Sequence, residues 1–267
     1  GSRTGIRYGS AEMLDHMAWD GLTNPYDGKS MGVFGDIACA KYEFSREDLD
    51  AYAVESANRA KRAIESGAFK AEIVPVTVAS RKGEVSYDTD EQPGRIQVEK
   101  IPTLRAAFGK DGRLTAASSS SISDGAAALV LTSSDEAEAR GLKPLARIVA
   151  HARHSQAPEW FTTAPITAIR NVLDKAGWSV EDVDLFEINE AFAAQCVACI
   201  KLLDLDPDKV NTSGSGCSLG HPVAATGARM LVTLVHELRR RGGGIGVAAM
   251  CAGGGMGSAT VIEVPAP

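Results

Sequence analysis

Three short segments set reactive side chains at junctions between apolar runs and glycine-rich or polar turns. In "GVAAMCAGGGMGSATV", Cys251 closes an apolar run and opens onto Gly253, Gly254 and Gly255. Such a thiol is either core filler, with glycines that let strands cross closely, or a reactive group facing uncovered backbone N–H donors, an oxyanion hole. Alone, the segment favours the first reading. In "SGSGCSLGHPVAATGAR", His221 stands just ahead of a long amphipathic run. A helix N-terminus disfavours an imidazolium, so the ring would stay neutral and able to accept a proton near pH 7. A histidine hydrogen-bonded at a turn fits the same residues equally well. These glycines match neither G-x-G-x-x-G after a strand nor the Walker lysine pattern, so a phosphate cradle is a weak reading. In "EINEAFAAQ", Asn189 and Glu190 follow an apolar strand and precede a helix. Asn189 is there either as a helix cap or as an amide that orients water or substrate.

Two further features read as structural. Cys196 and Cys199 form Cys-x-x-Cys inside an apolar helical run with no second pair, which points to packing rather than zinc, and no metal is expected. The serine run 118–121 reads as a solvated turn, with a ligand contact as the alternative.

The elements around these groups are mixed helix and strand. Residues 1–44 read as irregular and glycine-punctuated. Ser45 and Asp48 form a capping box for a helix whose stripe runs through Leu49, Tyr52, Ala53, Ala57, Ala60 and Ile64, with Gly67 as its stop. "EIVPVTV" is extended, residues 80–97 form an exposed excursion, "AAALVLTS" reads as a buried strand and "SSDEAEARG" as a short helix. From about residue 144 the pattern becomes α/β alternation. "ARIVAHA", "VDLFEI", "VNTSG", "GIGVAAMC" and "SATVIEV" are strands; "PITAIRNVLDKAG", "EAFAAQCVACIKLL" and "GARMLVTLVHELRRRG" are helices.

Composition bounds the rest. The 267 residues are 44% hydrophobic and 23% charged, which suits a globular chain of one large or two smaller domains. A net charge of -6 gives no reason to expect nucleic acid as a partner. No apolar run approaches the roughly 20 residues that span a bilayer, and no signal peptide is visible. Five cysteines at irregular spacing suit a reducing, cytoplasmic setting better than a disulfide framework. The chain begins at Gly1 without methionine, so Gly-Ser is a cloning scar or the sequence starts inside a longer protein.

Together, "NEAFAAQ", "GHPVAATGAR" and "CAGGGMG", in that order and roughly thirty residues apart, strongly resemble the thiolase family. So do "RTGIRYGSAEMLDHMAWDGLTNP", "SREDLDAYAVESANRA" and "LTAASSSSISDGAAALVL" upstream, and the likeness covers essentially the whole chain. The resemblance implies an α/β thiolase fold: α-β-α-β-α layers from two βαβαβαββ halves, with a loop domain. Here the first half would be incomplete. Residues 1–110 would be most of the loop domain, 111–143 the tail of the N-terminal half, and 144–267 the C-terminal half.

The resemblance also implies roles. His221 matches the base that activates the acyl-accepting cysteine. Cys251 matches the second cysteine, which moves the α-proton of acetyl-CoA. Asn189 matches the residue that holds a water, which with His221 stabilises the enolate or thioester oxygen. The N–H of Gly253 matches half of a second oxyanion hole. Ser120 matches a pantetheine contact. Leu22, Met31, Phe108, Ala116, Ala191 and Phe192 look like lining for the CoA arm and acyl pocket, and Arg95 like an adenine or phosphate contact. No tightly bound cofactor is implied; coenzyme A and acyl-CoA are substrates. Family members are commonly homodimers or homotetramers, and residues 1–15 resemble the tetramer-building segment.

The sequence also departs from the family. Nothing corresponds to the acyl-accepting cysteine; Cys39 lies in loop-domain context, so about the first hundred residues of a thiolase are expected to be missing. Ser30 stands where the family has histidine, and Ala224 where it has glycine, adding a methyl expected at the helix start. A different class of function, a non-catalytic acyl-CoA- or protein-binding module, is the alternative that the missing nucleophile raises.

Overall fold

The computed structural model describes Gly5, residues 9–81 and residues 83–266. Much of the expected oligomer-building segment, residues 1–4 and 6–8, lies outside the described residues. Helix α1, Met31–Lys41, forms inside the stretch that read as irregular. Gly32, Phe34, Gly35, Ala38 and Cys39 are buried, so the helix shows little polar face from which a period could be read. Its glycines are contact points: a Cβ on Gly32 would fall 2.2 Å from the Phe108 ring, and one on Gly35 2.5 Å from Leu114.

Helix α2, Arg46–Glu65, carries the expected capping box. Asp48 N–H donates to Ser45 Oγ at 3.0 Å, and Ser45 N–H to Asp48 Oδ2 at 3.1 Å. Leu49, Ala53, Ala57 and Ala60 form its buried stripe, and Gly67 follows in the left-handed region at φ 73°. Strands β1 (Val76–Ser80) and β2 (Gly83–Tyr87) make an exposed antiparallel hairpin. Helix α3, Gln92–Arg95, ends the excursion, and α4, Ser134–Ala139, is capped by Ser133.

The segment "AAALVLTS" is not a buried strand. Residues 122–133 have no regular structure, and Val130 and Leu131 are 97% and 70% exposed. A strand needs neighbours to bond its backbone and cover its faces. Among the described residues none pairs with this one.

The C-terminal portion follows the expected alternation. Its elements are β3 (Arg147–Ser155), α5 (Ala164–Ala176), β4 (Leu185–Ile188), α6 (Ala193–Leu203), α7 (Gly216–Leu219), α8 (Thr226–Arg240), β5 (Gly244–Ala252) and β6 (Met256–Val264). The strands form one sheet in the order β3–β6–β5–β4, with β4 and β5 parallel and the other pairs antiparallel. Alternate residues of β5 face opposite layers. Val247, Ala249 and Cys251 join the core that contains Ile169 and Val172 of α5. Ala248 joins Met230, Leu234 and Leu238 of α8. Burying each side chain of leucine size stabilises by about 1.5–3 kcal/mol.

The expected strand "VNTSG" shrinks to a single bridge between Phe186 and Val210. Asn211 turns the chain at φ 49° and uses its side chain in place of a strand. Its Oδ1 accepts from Ile188 N–H at 2.8 Å, and its Nδ2 donates to Ile188 O at 2.8 Å.

Candidate active site

Because β4 and β5 are parallel neighbours, their C-terminal ends emerge at the same sheet edge, where α/β folds place their sites. Asn189 follows β4 directly, and its N–H donates to Ala249 O at 2.9 Å. Cys251 lies near the end of β5, two residues further along that strand. His221 arrives in the loop between α7 and α8. Its Nε2 lies 3.3 Å from Asn189 Nδ2.

The other ring nitrogen fixes the tautomer. Nδ1 is 2.7 Å from Thr226 Oγ1, and the Thr226 hydroxyl donates to Pro222 O at 3.0 Å. With its own proton so placed, Thr226 Oγ1 accepts from Nδ1–H, leaving the Nε2 lone pair toward Asn189. Burial holds the His221 pKa below its ordinary value, and the Arg229 guanidinium adds to the effect. The neutral ring expected from the sequence thus has another principal cause than a helix N-terminus. The Ala224 methyl, expected at a helix start, is exposed and precedes α8 by two residues.

Asn189 is not a helix cap. It is fully buried, Phe192 is the N-cap of α6, and no side chain caps that helix. The Asn189 Oδ1 atom is buried without a partner among the described residues. Cys251 is 7% exposed, and burial pushes its thiol up to about 12. It therefore rests protonated, and its sulfur becomes a strong base once deprotonated.

The three glycines after it turn β5 into β6. Gly255 is demanded by the fold: at φ 79° a Cβ there would fall 2.1 Å from Gln156 O. Gly253 is exposed, with nothing within 4 Å of the position a Cβ would take. Its surroundings leave room for a ligand to reach the backbone.

The serine run is not a solvated turn. Ser118 is fully buried, and its Oγ accepts from Thr115 N–H at 2.8 Å. The run straps the other site segments together. Ser120 N–H donates to Ala191 O at 3.1 Å, Ala193 N–H to Ser118 O at 2.9 Å, and His221 N–H to Ser121 O at 3.2 Å.

An apolar wall adjoins this strap. Ala191 and Phe192 are buried, and the Phe192 ring lies edge-on to Phe108 at 5.7 Å. Phe108 rests on Gly32 beside Met31, whose N–H donates to Leu22 O at 2.9 Å. Ala116 is exposed at the strap's start. Arg95 is exposed at the end of α3, paired with Glu91 at 2.8 Å. Ser30 is the N-cap of α1, without a side-chain cap bond.

Sequence reasoning assigned nothing to Glu190, although a carboxylate inside an apolar segment signals buried partners. It is fully buried and accepts from Tyr52 Oη at 2.9 Å, Ser56 Oγ at 2.8 Å, Cys217 N–H at 2.9 Å and Asn211 Nδ2 at 3.3 Å. Burial raises its pKa, and these donors oppose the rise. The network ties α2 and α7 to the residue next to Asn189. Nearby, Arg229 meets Glu187 Oε2 at 3.2 Å and Ser215 Oγ at 3.0 Å. Burial outweighs the Arg229 contact and pushes Glu187 up to about 8. The thiols of Cys39, Cys196, Cys199 and Cys217 are buried and free, each raised chiefly by burial. Among the described residues no helix is long and apolar enough to cross a membrane.

The family model described as thiolase, N-terminal domain matches residues 1–135, and that described as thiolase, C-terminal domain matches 142–264. An acetyl-CoA acetyltransferase of Chromobacterium violaceum is 47% identical over 267 residues, covering 99% of this chain and 68% of the relative. The crystal structure of the Bacillus anthracis acetyl-CoA acetyltransferase superposes with a TM-score of 0.93 at 46% identity, covering 98% of this chain and 67% of that one. A thiolase from Ascaris suum, solved in complex with coenzyme A, gives 0.88 at 39% identity, covering 97% and 66%. The chain thus spans about two thirds of the length of these proteins.

Proposed function

The chain belongs to the thiolase family, and from that premise we propose that His221, Asn189 and Cys251 are the acid–base groups of a thiolase-type acyltransferase site acting on CoA thioesters. The carrying observation is the convergence of a tautomer-fixed, neutral His221 and the Asn189 amide, 3.3 Å apart, on the sheet edge that ends in Cys251.

Each group suits one step. The His221 Nε2 lone pair takes the proton of an acyl-accepting thiol, whose sulfur then displaces CoA and holds the acyl group as a thioester. The Cys251 thiol gives its proton to the departing CoA thiolate, and the sulfur anion so formed removes an α-proton from a second thioester: the C–H bond breaks, S–H forms again, and the electron pair moves to the carbonyl oxygen. A water on Asn189, with His221, stabilises that enolate. Gly253 N–H serves a second oxyanion, each such donor contributing about 3–4 kcal/mol. Enolate attack on the acyl carbon forms the C–C bond and releases the accepting sulfur. Run backward with free CoA, the steps cleave a 3-ketoacyl-CoA such as acetoacetyl-CoA.

In this reading none of Cys39, Cys196, Cys199 and Cys217, all buried and without a disulfide, is the accepting cysteine, which lies outside residues 1–267. Ser120, Ala116, Leu22, Met31, Phe108, Ala191 and Phe192 bind the pantetheine arm and acyl group, and Arg95 meets the nucleotide end. Coenzyme A is a substrate and no cofactor is held tightly. Domain limits of 1–110, 111–143 and 144–267, a homodimer or homotetramer, and a reducing, cytoplasmic compartment complete the proposal. A non-catalytic acyl-CoA module is disfavoured, because binding alone needs no tautomer-fixed base beside a second thiol. Thiolysis of acetoacetyl-CoA by the complete gene product tests the reading. His221→Ala should lower kcat at least a hundredfold (about 3 kcal/mol); near-normal turnover would overturn it.

A further inference from the structure

Glu190 is fully buried, and among the described residues its four donors are uncharged: Tyr52 and Ser56 of α2, the Asn211 amide, and the backbone of Cys217 in α7. An apolar side chain of similar size would fill this space without burying a carboxyl group. Donors converging from three parts of the chain account for the choice. Helix α7 is where they matter most. It is four residues long, too short to hold its own conformation, and His221 follows its last residue by two positions. Cys217 N–H, in its first turn, donates to Glu190 Oε2 at 2.9 Å. Ser56 Oγ donates to the same oxygen at 2.8 Å and lies 2.8 Å from Ser218 Oγ of α7. The packing is close. A Cβ on Gly216 would fall 2.7 Å from Glu190 O and 3.3 Å from Asn189 Oδ1, and one on Gly214, at φ 77°, would fall 2.9 Å from Ser56 O. The start of α7 thus stands against the Glu190 backbone and the Asn189 amide together.

We propose that Glu190 is a positioning residue for the acid–base pair: its carboxyl group holds α7 against α2 and the end of β4, and so sets the 3.3 Å spacing between His221 Nε2 and Asn189 Nδ2. The inference rests on the reading of His221 and Asn189 as groups that act together. Glu190 follows Asn189 directly in the chain. One short stretch of backbone therefore carries both the amide and the anchor for the helix that delivers the imidazole. Being fully buried, Glu190 reaches no substrate and acts only through that spacing. Helix α7 has a second hold, Arg229 Nη2 donating to Ser215 Oγ at 3.0 Å, so loss of Glu190 loosens the helix without freeing it.

The test is a double-mutant cycle in the complete gene product. It pairs Asn189→Ala with Glu190→Met, which keeps most of the volume and removes both acceptor oxygens. In thiolysis of acetoacetyl-CoA, Glu190→Met should lower kcat about 10- to 100-fold and change KM less than about threefold. In the Asn189→Ala background the same substitution should lower kcat by no more than about threefold, because the spacing it disturbs has lost one of its two ends. Wild-type kcat in folded Glu190→Met would overturn the proposal. Losses that multiply, the mark of a general loosening, would overturn it too. Should Glu190→Met fail to fold, Ser56→Ala takes its place and removes the hydroxyl between Glu190 and Ser218. A loss of about three- to tenfold that disappears in the Asn189→Ala background supports the proposal; no loss, or one that multiplies, overturns it. Activity of the single Asn189→Ala variant separates the two levels: full activity sinks the reading of Asn189 itself, whereas an impaired Asn189→Ala beside an active Glu190→Met sinks this inference alone.

Discussion

Thr226→Val is the sharpest probe of how the base is prepared. The substitution keeps the shape of the side chain and removes one oxygen. That oxygen lies 2.7 Å from His221 Nδ1 and bonds Pro222 O at 3.0 Å. Thr226 is fully buried, so water does not replace the hydroxyl. Leaving Nδ1–H unpaired removes about 1 kcal/mol from the tautomer with a free Nε2 lone pair. The opposite tautomer bears no such loss, because Asn189 can turn its Oδ1 to Nε2–H as it turns Nδ2 to the lone pair. A bias of about 1 kcal/mol lowers the competent fraction, and kcat/KM for thiolysis, about fivefold. Thr226→Ser keeps the acceptor and should retain most activity. Steady-state cleavage of acetoacetyl-CoA, with melting curves to verify folding, reads both. If Thr226→Val stays within twofold of wild type while folding normally, the tautomer argument is wrong.

Two stability predictions accompany it. Glu190→Ala strands the donors from Tyr52, Ser56, Cys217 and Asn211 in a buried site and should cost about 3–5 kcal/mol in urea unfolding; a loss under 1 kcal/mol would show that the network is not holding α2 to the site. Glu72 is pushed up to about 6 by burial; among the described residues the Thr233 hydroxyl donates to Oε1 and nothing donates to Oε2. Its folded pKa exceeds the unfolded 4.5, so the folded state binds the proton more tightly, and stability falls as pH rises from about 4.5 to 6. Glu72→Gln, which carries no charge to desolvate, should then be more stable at pH 7 by up to about 2 kcal/mol and equal near pH 4. Equal stability at both pH values would refute the burial argument.

What the sequence revealed divides along physical lines. The α2 capping box, the strands that became β5 and β6, and the α8 stripe are local or strictly periodic, and they were legible. Helix α1 was hidden because a helix buried around much of its circumference has no polar face to mark its period. "AAALVLTS" misled for the reverse reason: its apolar pattern calls for sheet neighbours that the described residues do not supply. The candidate site residues were chosen by type at element junctions. The partners that prepare them, Thr226 and Glu190, could not be chosen in that way, since their bonds join positions far apart in the chain or depend on which side chain is buried. The serine strap is similar: composition suggests solvent, while backbone bonds to Ala191, Ala193 and His221 place it inside the site.

The central claim is that Cys251 moves the α-proton. Exchange of the α-protons of acetyl-CoA for deuterium in D2O, followed by NMR with the complete gene product, measures that step alone. The unaltered protein should exchange them, and Cys251→Ala should slow exchange at least a hundredfold while still forming the acyl-enzyme. Exchange at the unaltered rate in Cys251→Ala would contradict the account.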